Sequence, residues 1–132
     1  MDVPFAHLTL ATRDIHATAE FLDRTLGYAR KPVPETASGE AIWFDLGSGQ
    51  EMHVLYAPGF EISAFEAEFG RHVALLHPRT DFLALKARLI NEGAVLIDPI
   101  RPTPFERFFF REPVNGYVFE IIDQDRASHL DQ

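Results

Sequence analysis

Two pairs of side chains that can bind metal ions recur at nearly the same interval along the sequence. His72 follows His7 by 65 residues, and Glu120 follows His53 by 67 residues. Three imidazoles and one carboxylate suit a borderline divalent ion such as Zn, Ni, Fe or Mn. A lone His in a strand is more often a hydrogen-bonded structural residue than a ligand. The recurrence of both pairs at nearly the same interval is what predicts a metal site.

Glu51 is the main rival for one of these ligand positions. It lies two residues before His53, and alternate residues of a strand share a face of the sheet. Other chemistry has little support, because the chain has no cysteine and no glycine-rich phosphate loop of the required spacing. No role is predicted for the other three histidines, which are His16, His77 and His129.

The elements that must position these residues occur twice in the same order. Each half predicts a strand, a helix capped by Asp14 or Asp81 and closed by Gly27 or Gly93, and three short strands. The predicted helices are residues 15–26 and 82–91. The predicted strands are residues 5–11, 28–33, 41–46 and 51–56 in the first half, and 72–77, 94–97, 106–111 and 117–122 in the second.

This repeat predicts an α+β fold in which two βαβββ modules form one domain over residues 1–132. Module one takes about residues 1–57, a joining segment about 58–70, and module two about 71–125. Neither half is expected to fold alone, because one small sheet needs a partner for its apolar face. Two modules related by a pseudo-two-fold axis would form an open half-barrel sheet around a metal-binding cleft that all four candidate ligands share.

Apolar residues outside this pattern give two further expectations. Ile62, Phe65 and Phe69 are spaced as on one face of a short amphipathic helix, which would pack on the rim or act as a lid. The phenylalanines of residues 105–110 and Trp43 are mostly core. Alternation along the strands turns half of this aromatic group toward the concave face, where it could line an apolar substrate pocket.

Charge and composition limit the partners. The net charge is −8, from 20 acidic and 12 basic side chains, so the surface repels phosphate backbones and nucleic acid is not expected as a partner. The sequence has no apolar run long enough to cross a bilayer, and its start lacks the pattern of a secretory signal. Together with the absence of cysteine, these features favour a soluble, cytoplasmic protein.

Four stretches of the sequence match one family. They are His-Leu-Thr-Leu-Ala-Thr-Arg-Asp-Ile…Phe-Leu…Leu-Gly-Tyr at 7–28, Gln-Glu-Met-His-Val at 50–54, Arg-His-Val-Ala at 71–74, and Arg-Glu-Pro-Val-Asn-Gly-Tyr-Val-Phe-Glu at 111–120. Through these stretches the chain resembles the vicinal-oxygen-chelate superfamily over nearly its whole length. This superfamily includes glyoxalase I, methylmalonyl-CoA epimerase, extradiol dioxygenases, and the fosfomycin and bleomycin resistance proteins.

The resemblance implies a metal-dependent enzyme of the glyoxalase type, a lyase or isomerase. Such an enzyme would act on a small carbonyl or vicinally oxygenated substrate by metal chelation and enediolate stabilisation. His7, His72 and Glu120 fall where the superfamily places metal ligands, and Glu120 would also be the catalytic base. His53 falls where glyoxalase I and the epimerase usually have Glu or Gln. Only one of their two last-strand carboxylates therefore remains.

Two other functions stay open. An Fe(II) extradiol-type dioxygenase would use two His and one Glu, and a non-catalytic binding or resistance protein would sequester an apolar ligand. The resemblance also implies a homodimer, because metal sites in this group often form between modules of two chains. The sequence leaves open whether the four ligands meet within one chain or across two.

Overall fold

The computed structural model of the chain describes residues 4–35 and 40–126. The first module contains β1 (His7–Thr12), α1 (Ile15–Thr25), β2 (Ala29–Lys31), β3 (Ala41–Gly47) and β4 (Gln50–Tyr56). The second contains β5 (Val73–His77), a single 3-10 turn (Arg79–Asp81), α2 (Phe82–Asn91), β6 (Val95–Ile97), β7 (Arg107–Arg111) and β8 (Val118–Asp123). The predicted α+β class and the two βαβββ modules are confirmed, and the elements differ from their predicted bounds only at the ends.

Each module forms one open four-stranded sheet. The strand orders are β1-β4-β3-β2 and β5-β8-β7-β6. In both sheets the first strand pairs in parallel with the last strand, and the other pairs are antiparallel. The parallel pair brings the candidate ligand near the first strand of each module beside the candidate ligand of its last strand.

The chain divides into two compact units, which we name unit one (Met1–Glu61) and unit two (Ile62–Gln132). The division falls inside the predicted joining segment, and the assembly of both modules into a single domain stays a prediction. Within residues 4–35 and 40–126, no helix is both long and apolar enough to span a membrane.

In unit one, one face of the sheet is covered by α1. Leu10, Phe44, Met52 and Val54 are each at most 1% exposed, and β3 and β4 contact the helix. Because side chains alternate along a strand, the residues between these core positions point to the opposite face. That opposite face carries His7, Glu51 and His53.

In unit two, phenylalanines of β7 and β8 are prominent in the core. Phe108, Phe110, Phe119 and Ile121 are at most 4% exposed, and the ring of Phe82 on α2 meets Phe108 edge-on with centroids 5.3 Å apart. Glu120 lies between Phe119 and Ile121 in sequence, so its side chain points to the other face of the sheet.

The two helix starts differ although aspartate stands at both. The Asp14 carboxylate accepts a hydrogen bond of 3.0 Å from the backbone N–H of Ala17, as a cap does. The Asp81 side chain forms no such cap, which corrects the prediction for α2. It instead binds Arg88 and His77, each at 2.7 Å, and these charged partners, Arg88 foremost, lower its pKa to about 2.

The predicted amphipathic helix in the joining segment is wrong. Residues 62–71 form turns closed by an isolated bridge between Glu66 and Arg71. The buried Glu66 carboxylate binds the Arg71 guanidinium at 2.9 Å and the N–H of Val118 at 3.1 Å, so an ion pair rather than apolar packing folds this segment. Gly70 is required here, because a Cβ atom would come within 2.0 Å of the Phe65 carbonyl oxygen.

Candidate functional site

The unit-one candidates, His7 and His53, lie together on the face opposite α1. The parallel register sets His7 beside Glu51 and Thr9 beside His53. The two imidazole rings stack with centroids 4.1 Å apart. On β3, Trp43 stacks on the ring of His53 at 3.8 Å with an interplanar angle of 5°. His53 is thus held between two rings, which fixes its plane.

Glu51 is a hydrogen-bonded partner of His53. Its Oε1 lies 2.9 Å from His53 Nε2, and its Oε2 accepts a hydrogen bond from Lys31 Nζ. The pKa of the Glu51 carboxyl is held below its usual value, chiefly by the Lys31 ammonium and to a smaller extent by His53. A histidine that binds a metal through one ring nitrogen is commonly oriented by a carboxylate at the other. Because Glu51 contacts Nε2, Nδ1 is the nitrogen of His53 that could bind an ion.

The unit-two candidates, His72 and Glu120, are also in contact. His72 Nε2 lies 3.1 Å from Glu120 Oε1, and His72 Nδ1 lies 3.2 Å from the Ala67 carbonyl oxygen. The ring of His72 also meets Phe109 edge-on at 5.2 Å. Phe109 is the register partner of Glu120, as Trp43 is of His53. The two faces therefore repeat one design of histidine, last-strand ligand and aromatic ring.

Arg107, which no sequence-based prediction singled out, completes the unit-two face. Its Nη1 donates to Glu120 Oε2 at 2.9 Å and its Nη2 donates to Glu68 Oε2 at 3.2 Å. The Arg107 side chain is only 3% exposed. The signal was present in the sequence, because an arginine that begins an Arg-Phe-Phe-Phe strand and is buried there needs a carboxylate partner.

Glu68 ties this ion-pair network to the loop before β7. Its carboxylate accepts hydrogen bonds from the backbone N–H groups of Ile100 at 2.7 Å and Arg101 at 2.9 Å. These hydrogen bonds keep the pKa of Glu68 below its usual value. The N–H of Ile100 contributes most, followed by the N–H of Arg101 and the Arg107 guanidinium. Arg107 Nη2 also donates to the Arg101 carbonyl oxygen, so the network fixes both the loop and the Glu120 carboxylate.

The four predicted ligands thus form two pairs, one in each unit. His72 Nε2 and Glu120 Oε1 lie 3.1 Å apart, which is a hydrogen-bond distance and also the separation of two neighbouring ligand atoms of a six-coordinate ion with bonds of about 2.2 Å. Among the described residues, no group of three or more His, Asp or Glu side chains is assembled around one ion position. The donor chemistry of the unit-two pair fits a divalent metal, and a contribution from the unit-one pair stays a prediction.

The other histidines have no place in these pairs. His16 lies exposed on α1, and His77 binds Asp81 at the start of α2. His129 lies outside the described residues.

Comparison with protein families gives one match. The sequence model of the Glyoxalase/Bleomycin resistance protein/Dioxygenase superfamily matches residues 5–121. Among the curated proteins, none matches this chain.

Several solved structures share the fold. A glyoxalase family protein from Bacillus anthracis has a TM-score of 0.73 and 22% identity, over 93% of this chain and 96% of that chain. A mutant of the fosfomycin resistance protein FosX from Listeria monocytogenes, complexed with Mn(II) and 1S,2S-dihydroxypropylphosphonic acid, has a TM-score of 0.75 and 16% identity, over 100% of each chain. FosX from Mesorhizobium loti has a TM-score of 0.67 and 18% identity, over 93% of each chain. At these identities the likeness concerns the fold.

Proposed function

The chain belongs to the Glyoxalase/Bleomycin resistance protein/Dioxygenase superfamily, and from this premise we propose that it is a metal-dependent enzyme of the glyoxalase type. Its substrate would be a small molecule with a carbonyl group or two neighbouring oxygens. The observation that carries the proposal is the His72–Glu120 pair, whose facing nitrogen and oxygen atoms lie 3.1 Å apart. The Listeria FosX structure with Mn(II) supports a divalent ion.

The residues that would hold the ion are His72 through Nε2 and Glu120 through Oε1, with His7 and His53 as the further ligands that the sequence predicts. A bound divalent ion would polarise the oxygens of the substrate as a Lewis acid. Glu51 would orient His53 through its Nε2. The combination of the two ligand pairs, within one chain or across a homodimer, stays a prediction.

Glu120 is the proposed proton acceptor. It carries the carboxylate at the last-strand position, where unit one has His53. Arg107 binds its Oε2 and leaves Oε1 toward His72. Oε1 would take a proton from the substrate only after its release from the ion, because an oxygen that is bound to a divalent cation is a poor base. Because Arg107 is itself fixed by Glu68, the Glu120 carboxylate is pre-positioned before the substrate binds.

The test is turnover by protein loaded with one metal at a time. Metal-free protein is loaded with Mn(II), Ni(II), Zn(II) or Fe(II) and assayed with a 2-oxoaldehyde–thiol adduct, and separately with a catechol in an oxygen electrode. We expect turnover of the adduct that Glu120→Gln abolishes and that the matched exposed variant Glu20→Gln retains. Oxygen uptake with Fe(II) and catechol, without adduct turnover, would replace the proposal with an extradiol dioxygenase.

A second candidate function is the binding and sequestration of an apolar ligand without reaction. It is favoured by the internal neutralisation of both candidate carboxylates, Glu51 by Lys31 and Glu120 by Arg107. The stacked Trp43 beside His53 offers such a ligand an aromatic surface. This function predicts that purified protein holds much less than one metal ion per site and that His7→Ala leaves ligand affinity unchanged.

A further inference from the structure

A cavity of about 390 Å³ lies in unit two, between α2 and the loop that leads to β7. Phe82 and Lys86 line it from the helix, and Arg101 and Phe105 line it from the loop. None of His7, His53, His72 and Glu120 is part of its wall. Its volume is at the lower end of the range for small-molecule sites, so it would accept a compact ligand.

The wall of this cavity carries unpaired positive charge on a chain whose net charge is −8. Neither Lys86 nor Arg101 forms an ion pair with any carboxylate in the described parts of the chain. The Lys86 ammonium lies 4.9 Å from the centroid of the Phe108 ring. The carboxylate of Glu106, which also lines the cavity, is 3.7 Å from Arg79. A concave site with free cations concentrates small anions.

The loop that carries Arg101 is fixed before any ligand arrives. Glu68 accepts the backbone N–H groups of Ile100 and Arg101, and Arg107 donates to the Arg101 carbonyl. A preorganised loop loses little conformational entropy on binding, which favours affinity. The cavity is therefore built by the same buried network that holds Glu120.

We propose that this cavity binds a small organic oxyanion with an apolar ring or chain. Lys86 and Arg101 hold the oxyanion through charge-assisted hydrogen bonds, and Phe82 and Phe105 contact the apolar body. The proposal does not depend on the metal chemistry of His72 and Glu120. The two can fail separately.

The experiment uses metal-free protein labelled with nitrogen-15 and titrated with phenyl phosphate as the probe. Benzoate, inorganic phosphate and benzyl alcohol are titrated in parallel, so that phosphate monoester, carboxylate, bare anion and apolar ring are separated. The test variant is the double substitution Lys86→Gln and Arg101→Gln. Its matched control is Arg13→Gln with Arg24→Gln, which removes the same charge from unit one.

We expect saturable amide shifts at residues 82–86 and 99–107, with phenyl phosphate or benzoate bound more tightly than inorganic phosphate or benzyl alcohol. The double variant should bind about tenfold or more weakly, and the control should bind like the wild type. Equal affinity of the double variant and the control would overturn the proposal. The proposal would also be overturned if inorganic phosphate bound as tightly as both aromatic anions, because the apolar wall would then contribute nothing to binding. Mn(II) affinity should be the same in all of these proteins.

Discussion

In each sheet, the face that carries the candidate ligands places a cation beside a carboxylate and a histidine, but the two units bury these groups to different degrees. In unit one the side chains of Lys31 and Glu51 are 38% and 20% exposed. In unit two those of Arg107 and Glu120 are 3% and 7% exposed. The same topology thus yields a partly hydrated ion pair in one module and a dry one in the other. The difference matters because the cost of an unpaired charge rises steeply with burial.

The largest expected effect is the loss of the Arg107 guanidinium. Arg107→Gln leaves Glu120 and Glu68 buried without their cation, and we expect the free energy of unfolding to fall by about 3–5 kcal/mol. Chemical denaturation measures this loss. Arg107→Lys should recover part of it, because the charge returns without the planar fork.

Lys31→Gln is the matched change in unit one and should cost far less stability, because water solvates the Glu51 carboxylate that it leaves behind. Equal losses for Arg107→Gln and Lys31→Gln would break the comparison between the two faces.

A smaller effect is expected when the oriented histidine of unit one is changed. If His53 is a ligand and Glu51 its orienting partner, His53→Ala and Glu51→Gln should each weaken metal affinity, by about tenfold or more. His53→Glu should retain metal, since a carboxylate replaces the imidazole. Calorimetric titration with Mn(II) or Zn(II) measures the metal affinity of each variant.

The rival assignment gives a different pattern from the same titration. If Glu51 is itself the ligand, Glu51→Ala loses metal and His53→Ala does not. If neither residue binds the ion, both variants keep the affinity of the wild type and His53→Ala changes only stability, by about 1 kcal/mol.

The smallest effect concerns the titration of Glu51. Its pKa is lowered in the folded protein, chiefly by Lys31, so its ion pair stabilises the fold above the unfolded-state pKa. That contribution is lost as the pH falls through the lowered folded-state pKa. In Lys31→Gln the pKa of Glu51 should move back up toward its ordinary value. Carbon-13 NMR of the carboxyl group follows this shift, and an unchanged pKa would show that Lys31 is not its main cause.

The sequence was sufficient for the elements and for the proximity of His7 to His53 and of His72 to Glu120, and metal binding by these residues stays a prediction. Apolar alternation and helical spacing are local signals, and the repeat then places His7 beside the last strand of its module and His72 near Glu120. Arg107 escaped notice because its partner lies across the sheet, where register rather than sequence distance sets the contact. The joining segment was misjudged because the Glu66–Arg71 ion pair and the close approach at Gly70 override its helical spacing.

The claim that His72 and Glu120 hold the ion is tested by a titration of metal-free protein with Mn(II), in which calorimetry measures the binding. The fluorescence of Trp43, the single tryptophan of the chain, adds a readout beside His53. We expect that His72→Ala and Glu120→Gln each weaken binding by about tenfold or more, while Glu20→Gln binds like the wild type. Wild-type affinity in both His72→Ala and Glu120→Gln would contradict the claim that this pair holds the ion.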